Sequence, residues 1–487
     1  MIKVGIYNAT GTAIRQVLSF LTVFLLVRLM GLETYGLWSF VMAIISIFTL
    51  AEGGLSLSIT VFVVRDLSGD RPRGVIETIT ITLSLIFTLA SLATIAILLS
   101  AHALSGLLPN ILPEQRDKLG YTLALSAPVI WARLHQQALI GLKQAYHRFG
   151  LINILQTTQT AVLTVGWLLI AWRQRDIVAL MIWQVLVTLS FLVLHIIYGV
   201  RLLRGIDLRP TWTRSKANCI VRYSLTNWLG MLGAALFSHA DRLIIGTILG
   251  SSGLGFYATI TSVTSQINTL SSMFIQPQLP IITQMFTNLT ANLLQLRERV
   301  RQAIAMNTFG SLGIGTVLLA GSNPILRSLV SGVNIEMLTA FRILIVIYSL
   351  YSLNAVGTYI LIGANQTKKN SLLIICCGLA TLGLIAFGAR SFGITGAITG
   401  NVGYIGTLAV YWFSMQQISL AHWKWLGWIY LPLGIFLCGS VMTILLPHLV
   451  DPFLIGTFQI CILSVWFALN HWSVVQHMLY RLFLGRS

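Results

Sequence analysis

Charged side chains are rare in this chain, and the few that interrupt its long apolar runs are the residues best placed to do chemistry. Only 9% of the 487 residues are charged, while 56% are hydrophobic. The interrupting cations include Arg15, Arg133 and Arg242, and the interrupting acids are Glu52 and Asp241. A charge inside a membrane costs on the order of a few kcal/mol or more, so these residues are expected to face protein or water.

The arginines outnumber the acids near the predicted membrane centre, and this surplus predicts an anionic ligand. A guanidinium group suits phosphate because its planar fork can donate two parallel hydrogen bonds. The alternative for each arginine is a buried structural ion pair, and Arg28 and Arg342, nearer the predicted outer interface, are expected to snorkel. The predicted substrate-binding residues are these cations with neighbouring polar side chains: Arg15, Gln16, Arg133, Gln136, Asn227 and Arg242.

Glu52, His135 and Asp241 are candidates for binding a proton or another coupling cation. A histidine titrates near neutral pH, and a membrane carboxylate can take up a proton or a metal cation. Each also has a structural alternative, a salt bridge for the acids and a packing hydrogen bond for the histidine. The five cysteines and nine histidines show no metal-ligand spacing, so we expect no metal, no catalytic residue and no cofactor.

The elements that must position these residues are apolar helices. The composition excludes a soluble fold, and runs of about twenty residues without alternation exclude a barrel of short strands. We therefore predict an all-α polytopic membrane protein with about fourteen transmembrane helices. Their approximate spans are 9–30, 36–64, 75–100, 119–142, 150–172, 176–200, 221–249, 255–283, 303–322, 337–362, 371–389, 394–415, 424–446 and 452–472.

The basic residues are distributed unevenly between the predicted loops. Twenty Lys and Arg residues fall on one side and six on the other, which predicts that both termini are cytoplasmic. The same bias explains most of the net charge of +18 without nucleic acid as a partner. All loops are short, so we expect no soluble catalytic domain and no enzyme activity.

The sequence contains an internal repeat. Gly31 and Gly36 recur as Gly250 and Gly255 with similar neighbours, and Leu139-Ile140-Gly141 recurs as Leu361-Ile362-Gly363. An offset of six helices makes the two copies parallel repeats, as in carriers that rock two lobes around a midplane site. We predict six-helix pseudo-symmetric lobes around a central cavity, followed by a C-terminal helix pair. The predicted boundaries are 1–205, 217–417 and 420–487.

Several of these segments resemble one family. Gly31 to Trp38, Glu52-Gly53-Gly54-Leu55 and Arg65 resemble the opening of bacterial polysaccharide-biosynthesis membrane proteins, although that family often has Asp in place of Glu52. The family comprises O-antigen and exopolysaccharide repeat-unit flippases of the multidrug/oligosaccharidyl-lipid/polysaccharide exporter superfamily. The run from Asp241 to Gly250, then Gly255 to Ala258, resembles its second-lobe motif, and Gly363 to Lys369 resembles its short basic turn.

The resemblance implies a two-lobed inner-membrane carrier with a cationic cavity. Its implied substrate is an undecaprenyl-pyrophosphate-linked oligosaccharide, flipped from the cytoplasmic to the periplasmic leaflet under a proton or sodium gradient. The implied partners are the lipid bilayer, the lipid-linked substrate, and a glycan polymerase with glycosyltransferases. Two alternatives stay open: an ion-coupled drug antiporter of the same superfamily, and a membrane glycan polymerase or ligase.

Overall fold

The chain is described from a computed structural model. The structure describes residues 2–52, 54–109, 111–207, 209–275, 278–287, 289–446 and 451–470, and their side chains except those of 2–13, 51, 226–227, 229–238, 274, 278–280, 287, 289–292 and 470. The α-helices are α1 (Ile2–Met30), α2 (Leu32–Thr49), α3 (Leu55–Ser68), α4 (Pro72–Ser105), α5 (Pro113–Ala145), α6 (Phe149–Arg173), α7 (Ile177–Leu202), α8 (Arg214–Ile275), α9 (Gln278–Thr287), α10 (Leu289–Ala320), α11 (Ser322–Leu329), α12 (Ile335–Tyr351), α13 (Ala355–Gly363), α14 (Thr367–Gly400), α15 (Val410–Gln417), α16 (Lys424–Leu445) and α17 (Pro452–Asn470). Three short 3₁₀ helices cover Leu50–Glu52, Ser352–Asn354 and Asn401–Ala409.

The described chain is a multi-pass helical membrane protein, as the sequence predicted. Ten of its helical stretches are long and apolar enough to cross a membrane. A helix suits this environment because it satisfies its own backbone hydrogen bonds where water is absent. The stretch Thr367–Gln417 contains two of the predicted spans, because the chain bends at Phe392 and Gly393. Helix α5 is not among the ten, since Arg133, His135, Gln136 and Gln137 make it polar.

Several predicted spans are broken into consecutive helices. The span predicted at 36–64 is α2 and α3, separated by a 3₁₀ turn and by Gly54, whose φ is 72°. The Glu52 carboxylate accepts the backbone N–H of Ser56 at 2.9 Å and so caps the first turn of α3. The span predicted at 337–362 is likewise divided into α12 and α13.

The contacts divide the chain into two compact units. The first unit is Met1–Thr259, in which α5 packs on α3, α4 and α7, and α1 packs on α6. The second unit is Ile260–Ser487, in which α10 packs on α16 and α17, and α13 packs on α9 and α15. Its core includes Leu296, Val300, Ile360 and Ile429, all fully buried. The lobe boundaries predicted from the repeat stay a prediction.

The two copies of the glycine motif pack against each other inside the first unit. Gly31 and Gly250 both have positive φ, 82° and 74°, and each begins the helical segment that follows it. A Cβ on Gly36 would overlap the carbonyl oxygen of Ser251, and one on Gly255 would overlap the carbonyl oxygen of Leu32. Residues 32 and 36 correspond to 251 and 255 at the repeat offset, so the contact is reciprocal, which supports the internal repeat.

Candidate functional site

Arg15 lies in a polar interface between α1 and α6. Its Nη1 donates to Asn153 Oδ1 and to Thr157 Oγ1, each at 3.3 Å. Two turns further along, the hydroxyls of Thr22 and Thr164 are 2.8 Å apart. Arg15 is half-buried, as is the neighbouring Gln16. These two hydrogen bonds orient the guanidinium group of Arg15 toward α6.

Arg133 and Gln136 lie one turn apart on α5, in different surroundings. Gln136 is buried, and its Nε2 donates to the carbonyl oxygen of Thr188 on α7 at 2.8 Å. Arg133 is half-buried and takes part in none of the ion pairs of the described residues. Arg133 is therefore a half-buried cation of the first unit that forms no ion pair with a described carboxylate.

Asp241 and Arg242 do not form an ion pair with each other. The Asp241 carboxylate is 2% exposed, and it accepts the Tyr257 hydroxyl at 2.9 Å and the backbone N–H of Arg242 at 2.7 Å. Arg242 Nη1 donates to Ser39 Oγ on α2 at 3.5 Å. Its Nε is buried without a hydrogen-bond partner among the described atoms. The two adjacent side chains therefore have different neighbours, because consecutive residues on a helix do not face each other.

The other predicted coupling residues have local partners. The carboxylate of Glu52 caps α3, as described above. His135 Nδ1 lies 2.8 Å from the carbonyl oxygen of Trp131, and the two rings are 4.0 Å apart between centroids. The side chain of Asn227 lies outside the described residues. Coupling roles for Glu52, His135 and Asp241 stay predictions.

The predicted site residues with described side chains are therefore distributed over several elements of the first unit: Arg15 and Gln16 on α1, Glu52 in the 3₁₀ turn before α3, Arg133, His135 and Gln136 on α5, and Asp241 and Arg242 on α8. Two of them, the adjacent Asp241 and Arg242, are joined by the hydrogen bond from the backbone N–H of Arg242 to the Asp241 carboxylate. The shared cationic cavity remains a prediction.

One cluster was missed by the sequence analysis. Lys143 lies one residue beyond the span predicted at 119–142, but it is fully buried inside α5 because that helix continues to Ala145. Its ammonium group donates to His195 on α7, and Thr188 and Gln184 lie on the same helix, both fully buried. The spacing of these α7 residues at 184, 188 and 195 is a helical stripe, and this signal was present in the sequence.

The second unit carries an apolar groove between α16 and α17. Its volume is about 720 Å³, and the side chain of Gln459 beside it is buried, donating to the carbonyl oxygen of Ile435 at 2.9 Å. Such a groove can hold an acyl or prenyl chain but has few polar groups to recognise a headgroup. Within the described residues, no group of three His, Cys, Asp or Glu could hold a metal ion.

Comparison with known proteins gives one family and a set of solved structures. The model of the family described as polysaccharide biosynthesis protein matches residues 1–286. No curated protein sequence matches the chain. A structure of the lipid II flippase MurJ in an inward closed conformation has a TM-score of 0.71 and 13% identity, and the match covers 96% of this chain and 99% of that one.

Two further structures have the same fold. An inward-facing multidrug resistance MATE family transporter of the MOP superfamily has a TM-score of 0.68 and 17% identity, covering 83% of this chain and 94% of that one. A MOP superfamily transporter from Pyrococcus furiosus has a TM-score of 0.60 and 14% identity, covering 86% and 95%. At these identities the likeness shows the fold alone.

Proposed function

The chain belongs to the polysaccharide biosynthesis protein family, and on this premise we propose that it is a flippase for a lipid-linked glycan. The cargo is a polyprenyl-pyrophosphate-linked oligosaccharide that moves from the cytoplasmic to the periplasmic leaflet by alternating access. It serves assembly of O-antigen or exopolysaccharide in the bacterial inner membrane, with both termini cytoplasmic. Glycosyltransferases supply the cargo and a polymerase consumes it. The protein carries its cargo and does not modify it.

The observation that carries the proposal is the arginine surplus in the first unit. Arg133 and Arg242 form no ion pair with a described carboxylate. An uncompensated cation among membrane helices is unfavourable unless an anion or water meets it. Pyrophosphate supplies several oxygens in the geometry that guanidinium groups bind best.

The structure favours the flippase over the two alternative functions, the drug antiporter and the glycan polymerase or ligase. A cationic drug needs an accessible carboxylate, whereas Asp241 is buried and bonded to Tyr257, and Glu52 caps α3. The multidrug transporter has the same fold, so the fold does not separate the two cargoes. A polymerase or ligase needs an aqueous catalytic surface, and the described connections between helices are short.

The test is leaflet exchange of a fluorescent undecaprenyl-pyrophosphate disaccharide in proteoliposomes, followed with a membrane-impermeant quencher. We expect exchange by the wild-type protein and a loss of about tenfold or more for Arg133→Ala, since removing one ionic hydrogen-bond donor costs about 1.5–3 kcal/mol. The matched control is Arg301→Ala, because Arg301 lies on the surface in a half-exposed pair with Glu298.

Two results would contradict the proposal. Normal exchange by a folded Arg15→Ala, Arg133→Ala double variant would remove the arginines from cargo binding. Export of ethidium by the wild-type protein, without exchange of the glycolipid, would favour the drug antiporter.

A further inference from the structure

A polar seam runs through the apolar interior of the first unit, between α5 and α7. On α7 it consists of Gln184, Thr188 and His195, which lie four and seven residues apart and therefore on one face of the helix. On α5 it consists of Gln136 and Lys143, also seven residues apart. All are fully buried except Gln136, which is 6% exposed. The seam extends for about 16 Å along α7 at 1.5 Å per residue.

Several polar atoms of this seam lack a protein partner. Within the described part of the chain, no hydrogen bond reaches Gln184 Oε1, Gln184 Nε2, Thr188 Oγ1 or His195 Nε2. Buried polar atoms in native proteins are almost always hydrogen-bonded, because each unmet one costs about 1–3 kcal/mol. Ordered water is the usual partner where the protein supplies none. Four such atoms on one helical stripe indicate a hydrated path, not an isolated packing defect.

The end of the seam toward the C-termini of α5 and α7 is a lysine bonded to a histidine. Lys143 Nζ donates to the carbonyl oxygens of Leu139 and His195, each at 3.1 Å, and lies 3.2 Å from His195 Nδ1. Three acceptors match the three donors of an ammonium group. His195 Nδ1 must then accept, which assigns the imidazole proton to Nε2, a buried atom without a described hydrogen-bond partner.

No carboxylate neutralises this pair among the described residues. The acids of neighbouring elements are engaged elsewhere: Asp66 on α3 and Glu77 on α4 pair with Lys216, and Glu52 accepts the N–H of Ser56. Arg133 and His135 lie further along α5, Arg65 lies on α3, Arg73 on α4 and Arg201 on α7, and none of these is bonded to the pair. Tyr146, just after α5, has a buried hydroxyl without a described partner.

We propose that Lys143 and His195 form a proton-binding site, that the hydrated α5–α7 seam conducts the proton to and from it, and that this proton drives the flippase. The last part rests on the proposed function. On release, Nζ of the Lys143 ammonium gives a proton to Nδ1 of His195, while Nε2 gives its proton to a seam water. The products are a neutral amine, a neutral imidazole protonated on Nδ1, and a hydronium ion, so one positive charge is conserved.

The chemistry of the pair selects a proton over sodium. A hard cation such as Na⁺ binds oxygen ligands, preferably with a carboxylate among them. The two carbonyl oxygens of this site already accept from the Lys143 ammonium group, whose positive charge repels a metal cation. An N–H···N hydrogen bond between an amine and an imidazole is instead an arrangement in which a proton can change sides.

The first experiment needs no cargo. Hydrogen–deuterium exchange at the imidazole C2 position, read by mass spectrometry on the full chain in nanodiscs, reports water access and protonation of each histidine. We expect His195 to exchange measurably although it is buried. In Lys143→Met we expect the pH midpoint of this exchange to shift by about one unit because the neighbouring cation is gone. Lys118→Met, which removes an exposed lysine paired with Glu114, is the control that leaves the midpoint unchanged.

The second experiment measures coupling. In proteoliposomes carrying the fluorescent undecaprenyl-pyrophosphate disaccharide, an imposed pH gradient is expected to accelerate wild-type flipping several-fold, and a sodium gradient is not. His195→Gln keeps an acceptor for Lys143 but cannot pass a proton on, so we expect it to lose the response to the pH gradient. Lys143→Arg, which keeps the positive charge, is the second variant to be measured in case Lys143→Met does not fold.

The two experiments fail in different ways. If His195 does not exchange, or if its midpoint is the same in Lys143→Met and in the wild type, the proton site is refuted whatever the cargo. If exchange behaves as expected but the wild-type protein flips no glycolipid, the proposed function is refuted and the proton site stands. A full pH-gradient response in folded His195→Gln refutes the relay.

Discussion

Individual arginines in this protein have different roles, and their hydrogen-bond partners distinguish these roles. Arg342 was expected to snorkel at the outer interface, but that expectation was wrong. The side chain is 4% exposed, its Nε donates to Ser322 Oγ at 3.0 Å, and its Nη1 donates to the carbonyl oxygen of Thr443 at 2.8 Å. It thus connects α11, α12 and α16 inside the second unit, whereas Arg133 forms no ion pair with any described carboxylate.

Replacing Arg342 should therefore destabilise the protein. We expect Arg342→Met to lower the free energy of unfolding by about 1–3 kcal/mol, because two buried acceptors lose their donor. Arg342→Lys should restore little of this stability, since the compact ammonium group of lysine cannot reach both Ser322 Oγ and the carbonyl oxygen of Thr443. The measurement is SDS-induced unfolding in mixed micelles. Arg28→Met is the control, because Arg28 is exposed. An unchanged unfolding curve for Arg342→Met would contradict the structural role.

Removing the hydrogen bond between Tyr257 and Asp241 tests whether Asp241 has a structural role or a role in ion coupling. Tyr257→Phe leaves a buried carboxylate oxygen with one donor fewer, and we expect a loss of about 1–3 kcal/mol in the free energy of unfolding. Tyr430→Phe is the control, because Tyr430 is 69% exposed. A loss below about 0.5 kcal/mol, typical of water-exposed positions, would instead favour the predicted role of Asp241 in ion coupling.

At the scale of the elements, helix spans could be predicted from the sequence because lipid imposes long apolar runs. Helix breaks could not: the interruption near Gly54 depends on a positive φ and on the Glu52 cap, which hydropathy does not register. Hydropathy also could not place Lys143 inside a helix, since a buried lysine and an interfacial lysine look alike in sequence. The buried polar stripe of α7 could be recognised from the sequence, but its contacts with Gln136 and Lys143 of α5 could not.

The reciprocal glycine contact is the element-level feature most open to test. We expect Gly36→Ala and Gly255→Ala each to cost about 1–3 kcal/mol in the free energy of unfolding, because the added methyl meets a backbone carbonyl that cannot yield like a side chain. Gly150→Ala, with open space around its Cα, should change stability by about 1 kcal/mol or less. Since each methyl opens the same interface, the double variant should cost less than the sum of the single ones. Additive losses would argue against a shared contact.

At the scale of the whole molecule, the number of membrane crossings depends on how α8 is used. Its 62 residues correspond to about 93 Å of helix, roughly three times the thickness of the hydrocarbon core. A straight crossing would leave most of it outside the membrane, whereas the bend at Gly250 allows two crossings. The repeat and the distribution of basic residues both require two. This requirement connects one glycine conformation to the orientation of everything that follows it in the chain.

The number of crossings can be measured with two single cysteines, after the native Cys219, Cys376, Cys377, Cys438 and Cys461 are replaced by serine. Gln174 and Thr367 are exposed at helix boundaries and are separated by five predicted spans. We expect a membrane-impermeant maleimide to label Gln174→Cys in intact spheroplasts, and Thr367→Cys only after permeabilisation. Labelling of both from outside would mean an even number of crossings between them. In that case α8 would cross once, and the parallel repeat on which the two-lobed carrier depends would not hold.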